Sequence, residues 1–384
     1  MSQNQFLLVA ILPVAVLLSL VGTSLMKLLA RRRGWFDDPT DPRKIHKGEV
    51  PRLGGVGMFW AFALSLGGAI VVGARGEAAS ALFAPPLVLA FGIAHFTGLL
   101  DDFRNIRAWK KLLAQVAAAA VLIAAGFRFR ALPLPGLTLD LGPVSYPLTL
   151  LWIVGVMNAV NMIDGMDGLA GGLSVIAAFT YGIVYASLGN AAASLAAFAL
   201  AGAIGGFLLH NYPPARIFMG DSGSLFLGVA LATLPLLHRG AHPAEAGILP
   251  GITLVLIPVL DVFASMWRRA RRRVPMMSPD KEHLHHKLMS LGLDGRSALL
   301  VVLSAQLGLS CLVLSGRLLP YRYYFGLTML AWCAMGLCFI ALHFATDPQL
   351  RWAEYEKLRA EMAAREAGMA KAETDEERFK DAGA

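Results

Sequence analysis

Four clusters of polar and ionisable side chains interrupt an otherwise apolar chain, and their types suit work on phosphate. The run Asn158-Ala-Val-Asn161-Met-Ile-Asp164-Gly165-Met-Asp167-Gly168 spaces four oxygen-bearing side chains three residues apart. Where helical, that spacing makes a drifting stripe on nearly one face. Gly165 and Gly168 break the helix and let backbone approach a ligand. Carboxylate and amide oxygens suit Mg²⁺, a hard cation. A purely structural role fits poorly, because two unpartnered Asp in an apolar setting are costly.

Asp101-Asp102 closes one apolar run, and Lys110-Lys111 opens the next. A helix C-terminus is partially negative and an N-terminus partially positive, so both placements are reversed in sign. Two reversed placements across a short loop predict charges that meet a ligand or each other. Adjacent helical residues point about 100° apart, so Asp101 and Asp102 are expected to differ in role. The third cluster runs from Asn211-Tyr-Pro-Pro-Ala-Arg216 to Phe218-Met-Gly220-Asp221-Ser222-Gly-Ser224. It predicts a helix start with free backbone N–H groups, ready for phosphate or a metal-bound phosphate.

The fourth cluster is His283-Leu284-His285-His286, within a basic loop from Trp267 to Arg296. No Cys or carboxylate stands beside it at zinc-ligand spacing, so imidazoles that hydrogen-bond sugar or phosphate oxygens fit better. Arg268, Arg269, Arg271, Arg272 and Arg273 read as a positive anchor touching anionic lipid. Carboxylates for a divalent cation, glycine turns, lysine and histidine together amount to phosphoryl-transfer equipment.

The elements that must hold these clusters follow from composition. Of 384 residues 56% are hydrophobic and only 16% charged, with a mean hydropathy of +0.59. Soluble domains carry about 25% charge, so an ordinary soluble domain is excluded. A transmembrane β-barrel is excluded as well, because the apolar runs are continuous and not alternating. The predicted class is an all-α polytopic membrane protein. Its eleven spans are 5–29, 53–73, 80–100, 111–126, 147–163, 169–188, 190–210, 223–238, 247–266, 297–316 and 322–345. Cys311, Cys333 and Cys338 fall in apolar spans without a CxxC pair, and are expected to be small buried hydrophobes.

The first span lacks a positive n-region and ends in Arg31-Arg32-Arg33, the reverse of a cleavable signal peptide. Alternating loops then carry twenty Lys or Arg on one side against six on the other. That bias predicts the N-terminus outside, with all four clusters and the C-terminus on the cytoplasmic face. Residues 1–346 read as one integral domain, and 347–384 as a charged, helical cytoplasmic tail.

In order along the chain, five segments resemble a known family. They are Phe36-Asp-Asp-Pro with Arg43-Lys44-Ile-His46 and Pro51-Arg-Leu-Gly54-Gly55; Asp101-Asp102; Asn158 to Gly168; Phe218 to Ser224; and Ser278-Pro-Asp-Lys-Glu-His283-Leu-His-His. Together they resemble the polyprenyl-phosphate N-acetylhexosamine-1-phosphate transferases (glycosyltransferase family 4). The likeness is to the bacterial undecaprenyl-phosphate GlcNAc-1-phosphate branch in particular, over roughly residues 1–345. Trp109-Lys110-Lys111 departs from the pattern, and Lys111 is aligned with the family's basic residue.

The resemblance implies transfer of a sugar 1-phosphate from a UDP-N-acetylhexosamine to undecaprenyl phosphate, with release of UMP. It implies Mg²⁺, or Mn²⁺ in its place, held by Asn161 and Asp221 with Asp164 behind them. It places Asp167, Gly165 and Asn211 at the nucleotide. Lys111 is implied to hold phosphate, and Asp101 or Asp102 to position or deprotonate the lipid phosphate. His283, His285, His286, Lys44 and His46 are implied at the sugar and its phosphate. A homodimer in the bacterial inner membrane, beginning a cell-envelope glycan, is the expected setting. UDP-GlcNAc is the expected donor from the His-Leu-His-His form of the loop, with UDP-GalNAc or another UDP-HexNAc as runner-up. A transporter of an anionic sugar or lipid is the rival class; it fits less well, because no internal repeat is visible and the polar residues gather at one face.

Overall fold

Apolar stretches in a bilayer leave the backbone no hydrogen-bond partner but itself, and these stretches fold as helices. The computed structural model describes residues 3–36, 50–72, 85–237, 246–275 and 282–346. Its helices are α1 (Gln3–Arg33), α2 (Gly54–Val72), α3 (Pro85–Arg104), α4 (Ala108–Ala124), α5 (Ser145–Ile163), α6 (Leu169–Ser187) and α7 (Ala191–Asn211). They continue as α8 (Gly220–Thr233), α9 (Ile248–Leu254), α10 (Leu256–Arg271), α11 (Leu284–Ser290), α12 (Gly295–Ser315) and α13 (Tyr321–Thr346). Between α4 and α5 a hairpin of β1 (Ala131–Leu134) and β2 (Leu137–Asp140) pairs antiparallel, with Ala131 opposite Asp140. The helical reading of the sequence did not include this hairpin.

The molecule is an all-α polytopic membrane protein. Among the described residues α1, α2, α3, α5, α6, α7, α12 and α13 are long and apolar enough to cross a bilayer. The three remaining predicted spans are helical but differ in form. α4 has 17 residues and opens on the Lys110-Lys111 pair. α8 has 14 residues and continues as a 3-10 turn over Leu234–Leu236. The span predicted over 247–266 is broken at Val255, where α9 and α10 meet at 71°. Pro258 has no N–H to give to the Leu254 carbonyl four residues back. Gln306 of α12 supplies that bond instead, its Nε2 donating to Leu254 O at 3.0 Å.

The chain groups into a compact unit over Met1–Met335 and a second from Gly336 onward, whose described part is the end of α13. The predicted tail 347–384 lies outside the described residues, as do Lys44 and His46. One expectation is corrected. Cys311, Cys333 and Cys338 are exposed, because α12 and α13 turn those positions outward, where an apolar thiol suits lipid as well as core.

Within the first unit α8 is the axis that positions the polar clusters. Every residue from Ser222 to Thr233 is buried, and α2, α3 and α5 pack around the helix. At about 1.5 Å per residue it is roughly 21 Å long, so its N-terminus is set by what surrounds it. α3 reaches it through Gly98, where any Cβ would lie 2.2 Å from the Asp221 carbonyl oxygen. The turn into α8 depends on Gly220, at φ +71°, where a Cβ would lie 2.2 Å from the Arg52 carbonyl. The segments before α2 and α8 are laced together: Phe218 N–H donates to Pro51 O (2.7 Å), Gly54 N–H to Phe218 O (2.9 Å) and Gly55 N–H to Met219 O (2.8 Å).

Gly98→Ala should therefore destabilise the fold by about 1–3 kcal/mol, as overpacking does. Gly155→Ala, in α5 with nothing within 4 Å of the new methyl, should be neutral or slightly stabilising. Thermal melting of the detergent-solubilised variants checks this. Equal melting points would show that α3 and α8 do not depend on this close approach.

Candidate active site

The reversed charges at the ends of α3 and α4 resolve into one ion-pair centre. Lys111 Nζ donates to Asp101 Oδ2 at 2.7 Å and to Asp221 Oδ2 at 2.6 Å. Asp101 is held by a second bond, its Oδ1 accepting from Ile106 N–H at 2.8 Å across the α3–α4 turn. Lys110 takes another course, with its ammonium 5.8 Å from the Trp109 ring centroid. Of the two lysines, Lys111 is the one that enters the centre. Asp221 is the more open carboxylate, its side chain 26% exposed against 10% for Asp101.

Asp102 has a different task, as the angle between neighbours on a helix requires. Its Oδ1 accepts from Asp221 N–H (2.7 Å) and its Oδ2 from Ser222 N–H (3.0 Å). These amides open α8 and have no partner within their own helix. A carboxylate at a helix N-terminus also meets the positive end of the macrodipole. This corrects the expectation that the N–H groups of Asp221 and Ser222 await a phosphate, since the Asp102 carboxylate occupies both.

The Asn158–Gly168 stripe crosses from α5 to the start of α6. Asn158 exchanges hydrogen bonds with Gln115 of α4 (2.8 and 3.3 Å), fixing α4 beside α5. Asn161 Nδ2 donates to Ser224 Oγ at 2.8 Å, which puts Asn161 against the first turn of α8, with its carbonyl oxygen unused among the described residues. Asp164 follows the last residue of α5. Burial and the nearby carboxylates of Asp221, Asp102 and Asp167 push it well above the usual carboxylate range, with Arg52 opposing. Asp167 Oδ2 accepts from Ala215 N–H at 2.8 Å. Buried Asn211 accepts from Gly168 N–H (2.9 Å) and donates to Ile217 O (3.0 Å). Asp167 and Asn211 thus fasten the Gly165–Gly168 turn to the segment that leads into α8.

The histidine loop joins the same centre. His285 lies against Gly165, so closely that a Cβ there would sit 2.9 Å from the imidazole Cε1. Only 2% of His285 is exposed, and among the described residues neither ring nitrogen has a hydrogen-bond partner. Burial, with His286 and His283 beside it, pushes its pKa down to about 3, so the ring is neutral at pH 7. His286 is tilted against it with ring centroids 4.2 Å apart. Two members of the arginine cluster meet an acid. Arg268 is 4% exposed and, with Arg272, faces Glu282 at 3.7 and 2.6 Å. Sequence reasoning also passed over Asp261, which bonds the histidine loop; a lone acid in an apolar span was the available signal.

Among the described residues no group of three His, Cys, Asp or Glu side chains is gathered at metal-binding distance. The donors present still fit Mg²⁺, which keeps waters and takes one or two protein carboxylates together with substrate phosphate. The open Asp221 carboxylate and the unused Asn161 carbonyl are such oxygens, on neighbouring helices.

The cap at α8 gives a direct expectation. Asp102→Ala leaves two buried amides unpartnered and should cost about 1–3 kcal/mol for each group left unsatisfied. Asp102→Asn, with one acceptor left, should lose less. Thermal melting decides it, and an unchanged Asp102→Ala would remove the cap from its supporting place.

Comparison with known proteins agrees with the resemblance in the motifs. The family described as "Glycosyl transferase family 4" matches residues 84–238. The chain is 36% identical over 296 residues (75% of this chain, 79% of the relative) to the "Probable undecaprenyl-phosphate N-acetylglucosaminyl 1-phosphate transferase" of Bacillus subtilis. It is 34% identical over 316 residues (75% and 77%) to the "Decaprenyl-phosphate N-acetylglucosaminephosphotransferase" of Mycolicibacterium smegmatis. It is 30% identical over 326 residues (81% and 85%) to the "Undecaprenyl-phosphate alpha-N-acetylglucosaminyl 1-phosphate transferase" of Escherichia coli K12. Similarity of this order over three quarters of each chain leaves one assignment: the chain belongs to glycosyl transferase family 4, the polyprenyl-phosphate N-acetylhexosamine-1-phosphate transferases.

Proposed function

We propose that this protein transfers an N-acetylhexosamine 1-phosphate, GlcNAc-1-phosphate foremost, from a UDP-sugar to undecaprenyl phosphate, releasing UMP. The product begins a lipid-linked cell-envelope glycan. The observation that carries this reading is the Lys111 ammonium between Asp101 and Asp221, where the end of α3 and the starts of α4 and α8 meet. The names of the relatives support the sugar and the lipid.

In this reaction an oxygen of the lipid phosphate attacks the sugar-proximal phosphorus of the donor. The bond from that phosphorus to the UMP oxygen breaks, and UMP leaves with the electron pair. The residues here serve charge and position, as phosphoryl transfer requires. Lys111 exchanges a carboxylate partner for a phosphate oxygen and neutralises it. Asp102 holds the start of α8, and so Asp221, in place. A phosphate monoester with a second pKa near 6 is largely ionised at pH 7. Deprotonation by Asp101 is therefore dispensable, and its role is to orient Lys111.

Asp221 and Asn161, with Asp164 behind them, would hold Mg²⁺, or Mn²⁺ in its place, which when bound withdraws charge from the pyrophosphate. Gly165, Asp167 and Asn211 shape the nucleotide pocket through the backbone they fasten. His283, His285 and His286, with Lys44 and His46, meet the sugar and its phosphate. We place eleven spans in the bacterial cytoplasmic membrane, with the N-terminus outside, the site and the tail 347–384 facing the cytosol, and the chain a homodimer. The bias of twenty basic residues against six supports that orientation.

The test is release of UMP by purified protein given undecaprenyl phosphate, Mg²⁺ and, in turn, UDP-GlcNAc, UDP-GalNAc and UDP-MurNAc-pentapeptide. UDP-GlcNAc should be preferred. Preference for UDP-GalNAc corrects the sugar alone, and no release from any donor overturns the reaction. Asp221→Ala should lower kcat by about 10²–10³-fold or more while the protein still folds. A variant that keeps near-full Mg²⁺-dependent turnover removes Asp221 from the metal.

A further inference from the structure

α10 is built inside out for a helix beside lipid. Phe263, Met266 and Trp267 are 63%, 43% and 68% exposed, whereas Asp261, Ser265 and Arg268 are 2%, 0% and 4% exposed. The buried set recurs at i, i+4 and i+7, one face of a helix. An acid in an apolar span is costly unless its oxygens are paired, and both oxygens of Asp261 are. Its Oδ2 lies 2.8 Å from His283 Nδ1, and its Oδ1 accepts from Leu284 N–H at 2.8 Å. Leu284 is the first residue of α11, whose N-cap residue His283 makes no side-chain cap bond of its own.

One carboxylate thus grips both the ring and the backbone where the histidine loop enters its helix. Further along the same α10 face and its end, Arg268 and Arg272 meet Glu282, one residue before His283. His283 in turn lies parallel to His285, with rings at 4° and centroids 6.2 Å apart. His285 rests on Gly165 beside Asp164. A run of neighbouring groups therefore leads from Asp261 through His283 and His285 to Gly165, the residue after Asp164.

We propose that Asp261 is a positioning residue for the donor site, acting through His283; the proposal rests on the function given above. With Nδ1 held 2.8 Å from the Asp261 carboxylate, Nε2 faces away from Asp261 in one ring orientation. The carboxylate partner of a functional histidine sets both its tautomer and its direction. Nε2 is then the atom that meets an oxygen of the sugar or of its phosphate.

The experiment is steady-state kinetics of UMP release with UDP-GlcNAc and undecaprenyl phosphate varied separately. Asp261→Asn, which can accept one of the two bonds but not both with ionic strength, should raise KM for UDP-GlcNAc about tenfold. KM for undecaprenyl phosphate should stay within twofold. His283→Ala should show the same pattern, and the double variant should be no worse than His283→Ala within twofold, because Asp261 then has no ring to position. Asp261→Glu, with the charge and both acceptors kept, should fall between, and carries the same comparison if Asp261→Asn fails to accumulate. An unchanged KM for UDP-GlcNAc in the Asp261 variants overturns the proposal. So does a double variant whose losses multiply, or a fall in kcat alone that tracks a lowered melting point. If the unsubstituted protein releases no UMP, the function itself fails and this role with it, an outcome seen before any variant is compared.

Discussion

The bond from the Asp102 carboxylate to the first amides of α8 is the constraint on which the site depends. It joins the C-terminus of α3 to the N-terminus of α8, where two orphan N–H groups would otherwise be buried without partners. Its consequence is positional. With α8 pinned against α3, Asp221 lies on the same side of the bundle as Asp101, and one ammonium from α4 reaches both. Gly98 makes that approach short enough by leaving no side chain between the two backbones. Adjacent acids on one helix thus divide the work, one holding the frame and the other holding Lys111.

Around this centre the remaining segments are attached by bonds that serve shape as much as chemistry. Asn211 and Asp167 tie the glycine turn after α5 to the irregular segment before α8. Asn161 lies against Ser224, and Asn158 locks α4 to α5 through Gln115. Amides are suited to this inside a membrane bundle, because they satisfy both donors and acceptors without adding charge. The result is a cluster of carboxylate and amide oxygens with the Lys111 ammonium among them, beside an apolar bundle. That is the electrostatic form phosphoryl transfer asks for, since the transition state needs charge held in place more than covalent help.

The break at Val255 extends the same logic. Pro258 removes the helical bond to Leu254, and Gln306 of α12 donates to that carbonyl instead. The helix beyond the break turns by 71° and lays a buried acidic and basic stripe against the histidine loop. Beyond the bend, Asp261, Arg268 and Arg272 meet their partners at 282–284.

Much of this was legible before any coordinates. Composition alone marks an all-α membrane protein, because continuous apolar runs have only one way to satisfy their backbone in lipid. Misplaced charges marked both Asp101 and Lys111, since a cost in local electrostatics must be repaid by a partner elsewhere. The sequence alone could not tell which amides stay open. The N–H groups of Asp221 and Ser222 look free along the chain, and a residue 119 positions away, Asp102, fills them. Nor could it show Cys311 turned outward, because a run apolar on every side carries no periodicity to distinguish its faces, or Arg268 turned inward, because its partner Glu282 comes from beyond the helix. Local chemistry is written in residue types and spacing. Which groups meet is decided by the packing of distant helices, and for Asp261 by a bend that a single missing N–H begins.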